Sequence, residues 1–327
     1  MIKISKNHLG IFMSIAYNSP MNPCEYIWFD NKFIGWNDAN THVLTHALHY
    51  GSGVFEGIRA YETEKGPAIF KAKEHYERLL ESCEFYDITC NFTVEELIES
   101  TKKLIVKNKL PACYIRPIVY TDYGSIGIIP KESTFATAIA AWEWGSYLGD
   151  DGIKHGIRCI ISDIMKTPSQ AMPSVAKSCA NYANSFLAKK RALNGGYDEA
   201  ILLNRHGNIA EGPGENIFVI KNNAIKTPPI TDDVLEGITR ETAIQLAKDL
   251  GYDVSVESIT PKELLQADEC FFTGTAAEIT PIREINDAPI GNGKKGPITH
   301  EIQTLYFDVV KGKTSQYDHW LTYCKES

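Results

Sequence analysis

No two of the eight cysteines (24, 83, 90, 113, 159, 179, 270 and 324) form a C-x-x-C pair. A disulfide framework is therefore not indicated, and reduced thiols of a cytosolic protein are the plain reading. Positive charge is also short. Lys and Arg number 33 against 41 Asp and Glu, a net charge of −8, which leaves no basic face for a nucleic-acid backbone. No apolar run approaches the ~20 residues that cross a bilayer. Internal repeats and low-complexity tracts are missing as well. Residues 1–24 contain neither acidic residues nor arginine. They are expected to be a disordered extension, with an organellar targeting segment or a start at Met13 or Met21 as the other readings.

What is present is an ordinary globular composition, 43% hydrophobic and 23% charged. At 327 residues the chain is long enough for two domains. IWFDNKFIGW (27–36) predicts a hairpin turning on Asp30-Asn31. Helical spacing over 74–86 and 93–108 predicts two helices, the second opened by a Thr93/Glu96 capping box. YIRPIVYTD (114–122) and TFATAIAAW (134–142) read as strands, and the first puts Tyr114 and Arg116 on one face. The Gly-rich stretch that follows reads as a linker. Beyond it strands and helices alternate: a strand at 158–164, a helix at 180–194 closed by Gly195-Gly196, a helix at 237–251 and a strand at 269–273. Thr299 is expected to cap a last helix. The division predicted is a smaller α/β domain over 25–145, a linker over 146–156 and a larger domain over 157–327.

Four constellations can carry chemistry. Lys177, in VAKSCANY, is either a surface lysine or an amine buried to form a Schiff base with a carbonyl cofactor. Tyr182 lies five residues on, where its hydroxyl can meet a phenolate. EGPGEN (211–216) holds Glu211 in a tight loop. That loop is either a polar hairpin or a carboxylate placed to keep a pyridine nitrogen protonated. LEGITRE (235–241) opens a helix at Gly237, whose free N–H groups can seat a phosphate, as any helix start can. FTGTAAE (272–278) can bring Thr275 to the same anion. His42, His46 and His49 share the spacing of a helical metal site. With no carboxylate or cysteine nearby, packing and hydrogen bonding are the expected roles, and no metal is expected.

Taken together, HALHYGSGVFEGIRAY, EHYERL, YIRP, AKSCANY, EGPGENIF, LEGITRE and GTAAEITP occur in the order found in branched-chain amino acid aminotransferases. From about residue 25 onward the chain resembles that family, the class IV, fold type IV transaminases that use pyridoxal 5'-phosphate (PLP). The resemblance implies an α/β (α+β) fold with a smaller N-terminal lobe and a larger, pseudo-barrel-like C-terminal lobe. It implies Lys177 as Schiff-base lysine and proton shuttle, with Glu211 at the pyridine nitrogen and Tyr182 at the phenolic oxygen. Arg78, Ile238, Thr239 and Thr275 would hold the phosphate. Phe55, Tyr114, Arg116, Gly214 and Ala276 would form the substrate pocket, with Tyr50 and Ile128 reaching in from a neighbouring subunit of a homodimer or larger homo-oligomer. The substrates implied are branched-chain amino acids and 2-oxo acids, the location implied is cytoplasmic, and neither nucleic acid nor membrane is a partner. D-amino acid aminotransferase and aminodeoxychorismate lyase share the fold. A PLP-binding protein without turnover is the reading from another class. One departure is Cys179-Ala180, where the family usually has Gly-Gly. That puts Cβ atoms near the site and makes Cys179 a candidate for thiol sensitivity.

Overall fold

The structure is a computed structural model that describes residues 22–131, 134–145 and 147–324. Most of the expected 1–24 extension lies outside those residues. The chain opens on β1 (Tyr26–Phe29) and β2 (Lys32–Gly35), paired antiparallel with Phe29 opposite Lys32. Asp30 and Asn31 both take positive φ, 42° and 65°, which matches the right-handed twist of a two-residue hairpin. Next come α1 (His46–Tyr50), β3 (Gly53–Phe55), β4 (Ile58–Thr63), β5 (Gly66–Phe70), α2 (Ala72–Phe85), α3 (Val94–Lys107), β6 (Cys113–Thr121) and β7 (Phe135–Trp142). Both bonds of the Thr93/Glu96 capping box form at the start of α3.

The second half runs α4 (Gly149–His155), β8 (Ile157–Ile161), α5 (Tyr182–Asn194), β9 (Glu199–Ile201), β10 (Asn216–Lys221), β11 (Ala224–Thr227), α6 (Ile238–Asp249), β12 (Val254–Val256), α7 (Pro261–Leu265), β13 (Glu269–Gly274), β14 (Glu278–Ile285), β15 (Ala288–Pro289), α8 (Pro297–Val310) and β16 (Leu321–Tyr323). Among the described residues these strands build two eight-stranded sheets. One has the order β16-β5-β4-β6-β7-β1-β2, with β3 on β6, and the other β12-β11-β10-β13-β14-β8-β9, with β15 on β14. The fold is mixed α/β with two lobes, as expected. β16, late in the chain, returns to the first sheet.

Apolar burial joins the lobes. Tyr61, Ala68 and Phe70 of the first sheet share one core with Phe218 and Phe271 of the second and with α6 and α8. Polar contacts reinforce that seam: Arg59 pairs with Glu278 at 3.1 Å, and the Tyr61 hydroxyl donates to the same carboxylate at 3.0 Å. Among the described residues no helix is long and apolar enough to cross a membrane.

Within the stretch expected as a linker, Gly149–His155 forms α4. Gly149 and the C-cap Gly156 take φ of 78° and 87°, where side chains are disfavoured. One local expectation is corrected. Thr299 does not cap α8. The helix starts two residues earlier at Pro297, after Gly296. Its first N–H groups are satisfied by Glu269, which accepts from Ile298 at 3.1 Å and Thr299 at 2.8 Å. A Cβ on Gly296 would lie 2.0 Å from that carboxylate.

Candidate active site

Backbone pairing delivers Lys177 to the seam between lobes. Val54 of β3 bridges to Ser178, and Phe55 N–H donates to the Lys177 carbonyl at 3.1 Å. Ser82 on α2 accepts from Lys177 N–H at 3.1 Å. Lys177 keeps some solvent access because it lines a cavity. Protein nonetheless surrounds its amine, and that burial brings the amine pKa down from 10.5 to about 8, with Glu56 opposing the fall. The ammonium donates to the Tyr182 hydroxyl at 2.5 Å and lies 5.3 Å from the centre of the Phe55 ring. Burial and the charge of Glu211 push the Tyr182 phenol up, so it remains a donor at neutral pH.

Glu211 lines the same cavity as Lys177, Tyr182 and Gly214. One of its oxygens accepts from Leu235 N–H at 2.9 Å and Asn216 Nδ2 at 3.1 Å. The other pairs with Lys166 at 2.7 Å. Lys166 is a buried lysine that sequence reasoning missed. Burial works against its charge, but Glu211 outweighs burial and the net shift is upward. On the same loop, burial raises the pKa of Glu215, and burial together with the charge of Glu215 raises that of Glu199.

Arg78 sits on α2 and lines a different cavity from the one that holds Lys177. Its Nε and Nη2 grip both oxygens of Glu56 at 2.6 and 2.9 Å, and Nη1 donates to the Glu236 carbonyl at 2.7 Å. Glu56 is fully buried and also accepts from His75 at 2.8 Å. Burial opposes its charge, but Arg78 and His75 prevail and hold its carboxyl far below the usual range. This residue too escapes the sequence reading, although it lies within FEGIR. Arg78 and Ile238 line one cavity of about 740 Å³. Gly237, the N-cap of α6, makes no side-chain cap bond, leaving the first turn with Ile238 and buried Thr239 uncapped. Thr275 and Ala276 lie in the turn between β13 and β14, and Gly274 beside them packs against the Gly214 carbonyl.

Arg116 and Tyr114 share a face of β6 as expected, Nη2 donating to the phenol oxygen at 3.1 Å. The Arg116 guanidinium stacks 4.7 Å from the Phe55 ring, and its buried Nε has no partner. Tyr50 and Ile128 do not line the Lys177 cavity. They lie on the surface, 45% and 76% exposed, and the Tyr50 hydroxyl donates to the Ile126 carbonyl at 3.0 Å. The histidine series divides. His42 precedes α1, His46 is buried and hydrogen-bonded, and His49 bonds the Val43 carbonyl at 2.9 Å.

Cys179 and Ala180 fit because two glycines face them. A Cβ on Gly51 would approach that of Ala180 to 2.8 Å, and one on Gly53 would lie 3.3 Å from Cys179 Sγ. Burial raises the Cys179 thiol, which argues against the expected thiol sensitivity.

Residues 53–285 match the family model for amino-transferase class IV. The branched-chain-amino-acid aminotransferase of Pseudomonas aeruginosa is 44% identical over 91% of this chain and 97% of its own length. That of Escherichia coli K12 is 40% identical over 91% and 96%. The crystal structure of an E. coli branched-chain amino acid aminotransferase superposes with a TM-score of 0.91, covering 92% of this chain and 100% of that one. The Thermobaculum terrenum branched-chain amino acid aminotransferase in its PLP form gives 0.87 at 32% identity, over 93% and 99%. The chain belongs to the class IV aminotransferases, in the branch of the branched-chain-amino-acid aminotransferases.

Proposed function

We propose that this protein is a PLP-dependent aminotransferase that passes the amino group of L-leucine, L-isoleucine or L-valine to 2-oxoglutarate, reversibly and by a ping-pong course. The Lys177 amine carries the reading: it is enclosed, held at about 8 and bonded to Tyr182.

The donor set fits PLP. Lys177 would hold the aldehyde carbon, Glu211 the pyridine nitrogen and Tyr182 the phenolic oxygen. Arg78, Thr275 and the uncapped α6 turn at Ile238 and Thr239 would hold the phosphate. When bound, PLP supplies an electron sink for the substrate carbanion. The rest is work for the chain. An amine near 8 is partly neutral at physiological pH, so Lys177 can attack a carbonyl, then take the substrate α-proton and return it. Tyr182 stays protonated and would donate to the phenolic oxygen. Glu56 neutralises Arg78 and fixes its plane.

The substrate pocket must take both an apolar side chain and a carboxylate. Phe55 offers an apolar wall, and Arg116 with its unpartnered Nε offers a carboxylate partner. Gly214 and Ala276 close the pocket. Tyr50 and Ile128 serve the pocket of a neighbouring copy. They are exposed amid Val43, Leu44, Leu48 and Ile129, an apolar surface suited to a second copy of this chain.

The test is the visible absorption of the PLP-loaded protein during sequential addition of D-alanine, L-leucine and 2-oxoglutarate. The band should ignore D-alanine, disappear with leucine and return with 2-oxoglutarate. A response to D-alanine would move the protein to the D-amino acid branch. No band after PLP is added would sink the Lys177 assignment.

A further inference from the structure

The HALHY motif belongs to no metal-ligating cluster among the described residues, yet it has a structural object. Helix α1 and the residue before it fasten the 122–127 segment, through the Asp122 side chain and through backbone carbonyls. Thr45 Oγ1 donates to Asp122 Oδ1 at 3.2 Å, and Tyr50 donates to the Ile126 carbonyl at 3.0 Å. His46 Nε2 is 2.8 Å from the Gly127 carbonyl, while Nδ1 is 2.6 Å from Ser52 Oγ. A carbonyl can only accept, so Nε2 carries a proton and donates to Gly127, while Nδ1 bonds the Ser52 hydroxyl. His46 is 3% exposed, whereas Ile128 and Ile129, the residues just past the fastening, are 76% and 85% exposed. The backbone of the loop is thus tied down from the inside and its apolar side chains are presented outward.

We infer that His46 is a positioning residue for substrate selection: by holding the Gly127 carbonyl it sets where Ile128 stands. This rests on the reading above, in which Ile128 enters a neighbouring copy's substrate pocket. Ser52 belongs to the same device, because its hydroxyl holds the other ring nitrogen and so keeps Nε2 aimed at Gly127. A side chain held through its own backbone can fix a pocket wall only as well as that backbone is held.

The experiment uses the full PLP-loaded protein and steady-state kinetics with leucine. Ile128→Ala shortens the wall and should raise the leucine KM about tenfold or more, since a missing methylene in an apolar pocket costs at least that order. His46→Ala should raise it at least threefold, with kcat within twofold of the parent. His46→Gln, whose amide can donate to the Gly127 carbonyl, should recover most of the loss. The double variant should be no worse than Ile128→Ala alone, because both act through one side chain. A merely structural role for His46 would instead add its own loss to the double variant and overturn the inference. An unchanged KM in His46→Ala beside a raised KM in Ile128→Ala would overturn it too, while leaving the reading of Ile128 intact. No effect of Ile128→Ala would overturn both. If His46→Ala does not fold, Ser52→Ala decides: a raised leucine KM there supports the inference, and an unchanged one overturns it.

Discussion

Replacing Lys177 by Met should make the cofactor-free protein more stable while ending its catalysis. The amine falls from 10.5 to about 8 on folding. At ~1.4 kcal/mol per pH unit, the buried ammonium is disfavoured by roughly 3 kcal/mol. At pH 7 both folded and unfolded chains hold this proton, so the native state bears the full penalty. A thioether of similar length removes it. The variant also leaves the Tyr182 hydroxyl without the lysine, a loss of about 1 kcal/mol. The expected net gain at pH 7 is therefore about 2 kcal/mol. The gain shrinks with pH in a defined window. Between about 8 and 10.5 the native lysine has released its proton and the unfolded one has not, so the stability of the parent rises with pH and the gap closes. Urea midpoints of both cofactor-free proteins, taken from pH 7 to 10, check this. A variant no more stable than the parent at pH 7, or a gap that ignores pH, would refute the claim that Lys177 is desolvated.

Other expectations follow from the same geometry. Arg116→Ala should weaken 2-oxoglutarate by roughly tenfold to a hundredfold, the worth of a charge-assisted hydrogen bond, and leave leucine nearly unchanged; equal losses in the two half-reactions would reject the assignment. Glu56→Gln breaks a buried pair and should cost about 3 kcal/mol in urea unfolding. It should also weaken PLP more than phosphate-free pyridoxal, and equal weakening would remove Glu56 from the phosphate end. Cys179→Ala should be inactivated by thiol reagents at the same rate as the parent at pH 7, because burial keeps this thiol protonated.

What can be read from the sequence depends on how local its cause is. The Asp30-Asn31 hairpin and the Thr93/Glu96 cap are set within four residues, and both appear in the structure. The start of α8 is not legible because its cap is Glu269, a side chain from β13 that lies 29 residues before Ile298. Glu56 is overlooked for a similar reason: its partners Arg78 and His75 come from another element. Lys166 looks like any loop lysine until the fold brings it to Glu211. Lys177, Tyr182 and Glu211 are legible because the chemistry needs those residue types, and the fold does bring them to one cavity. Tolerance of Cys179-Ala180 is not legible. It depends on Gly51 and Gly53, which face them across the seam.

The return of β16 to the first sheet bears on how this protein is made. Ile69 of β5 pairs with Thr322, a partner that emerges from the ribosome some 250 residues later. At about 5–20 residues per second that is a wait of roughly ten to fifty seconds. Throughout it β5, with Ala68, Ile69 and Phe70, presents an unpaired edge that can capture another nascent chain. Synthesis of this enzyme thus includes an interval, before the last strand is translated, in which a factor that shields β-edges would protect the chain.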